Sequence, residues 1–267
     1  MIRSLLFVPG NRPELFGKVG RVRPDAVVAD LEDAVAPAEK PAARTTALEA
    51  LATERPGAGL VLVRVNAPGT EWFRDDLAAV AASGAVDGVV LPKYETTDQL
   101  ATVRAALPDG ARVVVGIESG LGVADARPLL AAGPYAVYFG AEDYIADLGG
   151  RRTAAGTEVL YARSAICLAA RLAGVLPIDE AVVDVRDEDA FRRSATEGRN
   201  LGYRAKICIH PSQVVAARAV FTPTEEEIAE AEAVIRAAEH GVAVVGGRMV
   251  DAVHVTMARE VLRQAEG

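Results

Sequence analysis

The chain has 267 residues, 51% of them hydrophobic, and its 29 Lys and Arg against 37 Asp and Glu leave a formal net charge of −8. An acidic chain is ill suited to sequence-independent binding of nucleic acid, which needs a basic face. Its two cysteines, Cys167 and Cys208, offer neither a disulfide framework nor a zinc knuckle, and they read as small buried hydrophobes.

Taken in chain order, the apolar run Leu5 to Val8 is cut off by Pro9-Gly10, too soon for a signal peptide. The longest stretch free of charge, Pro128 to Ala141, is well short of the ~20 residues that span a bilayer, so a soluble, cytoplasmic protein is expected. Short apolar runs then alternate with Ala- and Leu-rich segments of helical spacing. The expected strands are Arg3–Val8, Ala26–Asp30, Leu60–Val65, Gly88–Leu91, Arg112–Ile117, Ala136–Phe139, Ala181–Val185 and Ala205–Ile209. The clearest expected helices are Pro41–Glu54, Glu71–Ala82, Thr97–Ala106, Glu158–Leu172 and Ala190–Leu201. Solid rather than alternating apolar strands indicate a parallel sheet buried on both faces. Eight βα units in succession favour a closed (β/α)₈ TIM barrel over an open doubly wound sheet.

The barrel is expected to fill residues 1–220, leaving 221–267 as a C-terminal helical extension packed on the barrel or on a neighbouring subunit. Thr224 followed by Glu227 is a capping box that starts a helix, which should end near His240-Gly241. His240 would there favour the helix dipole. Val244-Val245-Gly246-Gly247 reads as a Gly-rich link to a last helix near Val250–Gln264.

Active sites of such barrels lie at the C-terminal ends of the strands. The residues expected there are Pro9-Gly10-Asn11-Arg12, Asp30-Leu31-Glu32-Asp33, Arg64-Val65-Asn66, Pro92-Lys93, Glu118-Ser119, Glu142-Asp143, Asp184 and His210-Pro211. Most carry an ionisable group directly after an apolar run, which as a set marks a site. Glu118 and the Glu142-Asp143 pair end adjacent units, and two carboxylates side by side repel unless a cation separates them. Two carboxylates completed by waters and substrate oxygens suit Mg²⁺, and no His/Cys cluster favours zinc or copper. Pairing of these acids with a nearby Arg is the plain alternative. Arg64, inside an apolar run, must find an anion: a substrate carboxylate, or Asp30, Glu32 or Asp33. Phosphate-loop, dinucleotide, zincin and nucleophile-elbow motifs are absent. His210 reads as a structural hydrogen-bonding group.

Seven segments occur in register: Leu6-Phe7-Val8-Pro9-Gly10-Asn11-Arg12, Asp30-Leu31-Glu32-Asp33-Ala34-Val35, Arg64-Val65-Asn66, Leu91-Pro92-Lys93, Ile117-Glu118-Ser119, Phe139-Gly140-Ala141-Glu142-Asp143 and Ile209-His210-Pro211-Ser212-Gln213. In these the chain resembles the citrate lyase β-subunit-like proteins of the HpcH/HpaI aldolase and malyl-CoA or citramalyl-CoA lyase group. The resemblance implies a Mg²⁺-binding barrel, usually a homotrimer, that cleaves or forms a carbon–carbon bond in a 3-hydroxyacyl-CoA. It further implies Glu118 and Asp143 as metal ligands, and Arg64, together with Glu118, as substrate-binding residues. Glu32 and Asp33 are implied as acids that hold metal-bound waters. Asp251 matches a C-terminal acid/base that reaches the site from a neighbouring subunit, although Val253 stands where the family pattern has Pro. Arg12, Lys18, Lys40 and Arg44 are candidates for the phosphates of CoA. A CoA-independent aldolase on hydroxy-keto acids and a citrate lyase β-type subunit needing acyl-carrier partners are the alternatives. No membrane or nucleic-acid partner is expected.

Overall fold

The computed structural model describes residues 2 to 238 and 241 to 266, so His240 lies outside the described residues. The chain divides into two compact units, Ile2–Ala217 and Arg218–Gly267.

In the first unit, β1 (Ser4–Pro9), β2 (Ala26–Asp30), β3 (Leu60–Arg64), β4 (Gly88–Leu91), β5 (Arg112–Ile117), β6 (Ala136–Phe139), β7 (Leu176–Asp179) and β8 (Ala205–Cys208) form a closed barrel in sequence order. All pairings are parallel, and β8 closes on β1 through Leu5↔Ile207. The connecting helices are α1 (Phe16–Val19), α2 (Lys40–Thr53), α3 (Phe73–Ser83), α4 (Thr97–Ala106), α5 (Gly120–Ala124), α6 (Ala126–Ala131), α7 (Ala141–Asp147), α8 (Thr157–Ala173) and α9 (Glu188–Leu201). Local signals set several of their limits. Thr96 and Gln99 make a reciprocal capping box at the start of α4. Gly174, left-handed at φ 68°, ends α8. The eight-stranded parallel barrel expected from the sequence is therefore present, and Cys167 and Cys208 are buried free thiols.

Strand alternation decides what enters the barrel. Ala26 and Val28, Leu60 and Leu62, Val90, Val114, Ala136, Ile178, Ala205 and Ile207 pack together in its interior. Continuing that every-second-residue row toward the strand C-termini brings Asp30, Arg64, Glu118 and Tyr138 to the mouth.

The seventh strand differs from expectation. It is Leu176–Asp179, whereas Ala181–Val185 is loop with Val183 and Val185 exposed. Pro177 and Asp179 speak against a buried strand in the sequence, and packing overrides both. Asp179 pairs in register with Lys206 of β8, and the two side chains, fully buried, form an ion pair of 2.6 Å. Arg163 of α8 adds a second one at 2.8 Å. Buried charges persist where each has its counter-charge, so Asp179 is legible only together with distant Arg163 and Lys206. Asp184 consequently ends no strand.

The second unit takes in the end of α10 (Pro211–Phe221), together with α11 (Glu225–Ala237), β9 (Ala243–Val245), β10 (Arg248–Val250) and α12 (Ala252–Glu266). The Thr224–Glu227 capping box is formed as expected. The expected Gly-rich link is instead the turn of an antiparallel hairpin. Gly246 and Gly247 have φ of 56° and 79°, which a two-residue hairpin turn of this kind requires. Val250 ends β10, so the last helix starts at Ala252. Ala231, Val234, Val250 and Ala258 form this unit's small core. Among the described residues no helix is long and apolar enough to cross a membrane.

Candidate active site

A cavity of about 270 Å³ opens at the C-terminal end of the barrel, lined among others by Asp30, Asp33, Arg64, Glu118, Tyr138 and Asp143. Arg64 is 9% exposed. Its Nε and Nη2 donate to the two oxygens of Asp30 at 2.7 and 2.6 Å, a bidentate fork. Its Nη1 is 3.0 Å from Glu32 Oε2 and 3.2 Å from Asp33 Oδ2. The Phe7 ring lies under the guanidinium at 5.1 Å. Of the two partners open for Arg64 in the sequence, the acids of β2 and its loop are thus realised, and they engage all three guanidinium nitrogens.

Glu118 is buried at the end of β5. Tyr138 donates its hydroxyl to Oε1, and the Lys93 amide donates to Oε2 at 3.3 Å. Two glycines make room for it. A Cβ on Gly140 would fall on Glu118 Cγ, and one on Gly116 would fall on the Tyr138 hydroxyl and on Glu118 Oε1. Gly140→Ala is accordingly expected to displace Glu118, costing about 1–3 kcal/mol by overpacking. Thermal denaturation reads that loss, and an unchanged melting temperature counts against the close approach.

Burial is the main reason that Glu118 is pushed up to about 7; Asp143 and Asp33 add to it, while Tyr138 and Arg64 pull the other way. Burial likewise lifts Glu32 to about 8 against the pull of Arg64. Glu32 Oε2 is buried and, despite its nearness to Arg64, accepts no hydrogen bond. Asp143 stands in the first turn of α7, partly exposed, 3.6 Å from Lys93 Nζ. Its neighbour Glu142 is held by Arg152 at 2.6 Å.

Sequence reading gives Tyr138 no role, places Lys93 at a strand end without one, and takes Lys40 only as a phosphate candidate. Lys93 follows β4 in a left-handed conformation, φ 50°, unusual for a residue with a side chain. Burial would lower its pKa, but Glu32 and Asp143 outweigh that and raise it, so the ammonium stays charged. Lys40 is buried and donates to the carbonyls of Leu31 and Glu32 at 2.9 and 2.7 Å, tying down the loop that carries Glu32 and Asp33. Arg44 is bound to Asp76 at 2.6 Å and Arg12 to Glu14. As candidates for phosphates, Lys40, Arg44 and Arg12 therefore already have acceptors. His210 Nδ1 accepts from the Ser212 amide and contacts its hydroxyl at the start of α10, the structural role expected.

Asp251 belongs to the second unit, where it precedes α12. Its Oδ1 accepts from the amides of Val253 and His254 and lies 2.7 Å from His254 Nδ1. The His254 hydrogen bond is the main reason that its pKa is lowered. It therefore caps a helix, with an imidazole as partner.

Buried acids, a guanidinium and a lysine gather at the mouth of the parallel barrel, a set able to hold an oxyanion beside a hard cation. A family model described as HpcH/HpaI aldolase/citrate lyase matches residues 3–211. A citrate lyase subunit beta-like protein of Deinococcus radiodurans is 43% identical, over 98% of this chain and 96% of its own. An L-malyl-CoA/beta-methylmalyl-CoA lyase of Cereibacter sphaeroides is 34% identical, over 99% and 94%. The solved structure of CitE from Mycobacterium tuberculosis in complex with magnesium, acetoacetate and coenzyme A superimposes with a TM-score of 0.86 at 36% identity, covering 99% of this chain and 98% of that one. Together with these relatives, the barrel and its mouth are those of a carbon–carbon lyase. The chain belongs to the HpcH/HpaI aldolase/citrate lyase family.

Proposed function

We propose that this protein is a Mg²⁺-dependent lyase that cleaves or forms a 3-hydroxyacyl-CoA such as citramalyl-CoA or malyl-CoA, with a keto acid and acetyl-CoA as the other side of the reaction. The observation that carries the reading is the convergence of Glu118, Asp143 and Arg64 on one cavity. The residues present fit the cation. Glu118 is a buried carboxylate that is costly to ionise alone, Glu32 keeps an oxygen without a hydrogen bond, and the donors are all hard oxygens. Among the described residues no three His, Cys, Asp or Glu side chains could hold a metal ion by themselves, in keeping with two protein carboxylates completed by waters and substrate oxygens.

Glu118 and Asp143 would hold the ion, and Glu32 and Asp33 would hold its waters. Bound there, Mg²⁺ supplies Lewis-acid polarisation of the oxo-acid oxygens. Arg64 Nη1, shared with Glu32 and Asp33, would orient the substrate carboxylate while Asp30 holds the other two guanidinium nitrogens. Tyr138 fixes the Glu118 carboxylate by donating to it. Asp251 is the group proposed to give or take the proton at the α-carbon of the acetyl thioester.

A panel of citramalyl-CoA, malyl-CoA and citryl-CoA, with and without Mg²⁺, tests the reading on the purified chain. Metal-dependent release of a keto acid is expected. Turnover of free hydroxy-keto acids alone, or activity only after acyl-carrier partners are added, would replace it with one of the alternatives. For Asp251, Asp251→Asn keeps an equally good helix cap, so stability should hold. Deuterium uptake into acetyl-CoA should fall by about 100-fold, within the range for a lost general acid/base; wild-type uptake removes Asp251 from the reaction.

We also propose the homotrimer. Tyr161, Leu168 and Leu172 recur along one exposed face of α8, with Leu160 beside them, and an apolar stripe of that length suits association with another copy. A cytoplasmic location is part of the same reading, supported by two unpaired thiols.

A further inference from the structure

The mouth contains two cations of opposite character. Arg64 is buried and forked onto Asp30 at 2.7 and 2.6 Å, so it cannot leave without stranding a buried carboxylate. Lys93 is 43% exposed along its side chain, and its Nζ lies 3.8 Å from Glu32 Oε1 and 3.6 Å from Asp143 Oδ1. Both separations are too long for hydrogen bonds. The ammonium therefore bridges an acid from the loop after β2 and one from the first turn of α7 by charge alone, on a flexible stem. Its backbone is the rigid part. The left-handed φ of 50° after Pro92 turns the Lys93 amide toward Glu118 Oε2 while the side chain rises between the other two acids. A strained residue persists where its surroundings over-determine it, and here both ends of one residue serve carboxylates from three separate units of the barrel.

We propose that Lys93 is a placeholder: its ammonium stands between Glu32 and Asp143, one of the two proposed metal ligands, and a divalent cation that binds Asp143 must displace it toward solvent. The inference rests on the Mg²⁺ reading above. The placeholder adds to the charge that Arg64 already sets against Glu32 and Asp33, balancing Asp143 as well, and it sets a ceiling on metal affinity because each binding event must displace a resident charge.

The test is a calorimetric titration of the full-length chain with Mg²⁺ at low ionic strength, with melting temperatures taken on metal-free and Mg²⁺-saturated protein. Lys93→Met and Lys93→Gly both remove the charge, and Lys93→Gly also accepts the left-handed backbone without strain, so at least one folds. Both variants are expected to bind Mg²⁺ about tenfold more tightly than wild type, since a unit charge a few ångströms away is removed. Lys93→Met should melt lower than wild type without metal and equal to it with metal. Lys93→Arg should keep the wild-type affinity. Unchanged or weaker Mg²⁺ binding by both charge-removing variants overturns the placeholder while leaving the Mg²⁺ site standing. No Mg²⁺ binding by wild type overturns the Mg²⁺ reading itself, and the placeholder with it.

Discussion

Glu118→Gln is expected to abolish Mg²⁺ binding, to cut turnover roughly a thousandfold or more, and yet to make the metal-free protein more stable above neutral pH. The first two effects follow from losing one of two carboxylates proposed to hold a Lewis-acid cation worth several kcal/mol at the transition state. The third follows from burial, which lifts the Glu118 carboxyl to about 7 from an ordinary 4.5. A carboxyl raised on folding contributes stability that is complete below its unfolded pKa of about 4.5 and lost as pH rises through about 7. Metal-free wild type should therefore weaken between about pH 5 and 8, by an amount on the order of 1–3 kcal/mol from this group. The variant carries no charge there at any pH, and Tyr138 can still donate to the amide oxygen. Its decline should be shallower, with Glu32, lifted to about 8, as the remaining contributor. Urea titrations at several pH values with metal chelated give the comparison. An equal or steeper decline in the variant contradicts the burial argument, and retained Mg²⁺ binding contradicts the ligand assignment.

Arg64→Met should be the most destabilising single change at the mouth, by about 3–5 kcal/mol, because it leaves Asp30 buried without its counter-charge. The loss of stability confounds any reading of activity, so the informative protein is Arg64→Met combined with Asp30→Asn. That pair removes both charges together. Most of the stability is expected to return, since a buried ion pair is worth little net when both partners go. The kcat/KM should remain at least about 100-fold down, because the Nη1 cation proposed to orient the substrate carboxylate is still missing. Arg64→Lys adds a third point: charge without a planar fork, with KM raised more than kcat is lowered. A stable double variant with wild-type kcat/KM would reduce Arg64 to a structural residue.

How much of this was legible depends on whether the signal is local. The apolar runs ending in Asp30, Arg64 and Glu118 place ionic groups at strand ends, and the two-residue repeat of a strand puts them on the inner face with Val28, Leu62 and Val114. The Thr224 capping box is likewise four residues long. The seventh strand failed because its evidence is tertiary: Asp179 is admissible in a buried strand only with Lys206 and Arg163 beside it. Val182 to Val185 meanwhile mimic a strand locally. The sequence places Lys93 at a strand end, but its left-handed turn goes unseen because such backbone is usually announced by glycine. Lys40 is expected to meet phosphate, and nothing nearby in sequence reveals the two carbonyls it holds instead. Gly116 and Gly140 did carry a signal in hindsight: each flanks an acid end, and each is small because Glu118 passes against it.

The packed interior beneath the mouth bears on how the reactants come and go. Val28, Leu62, Val114, Ala136 and Ile178 close the barrel below the ionic layer, so the cavity is blind-ended. Whatever lies against Arg64 and Glu118 is roofed by whatever enters after it. For the proposed cleavage into a keto acid and a thioester, an acid half bound at that depth would depart after the thioester half. That order would follow from the packed floor of the barrel. It would register as a compulsory-order pattern of product inhibition, with the keto acid competing directly for the free enzyme.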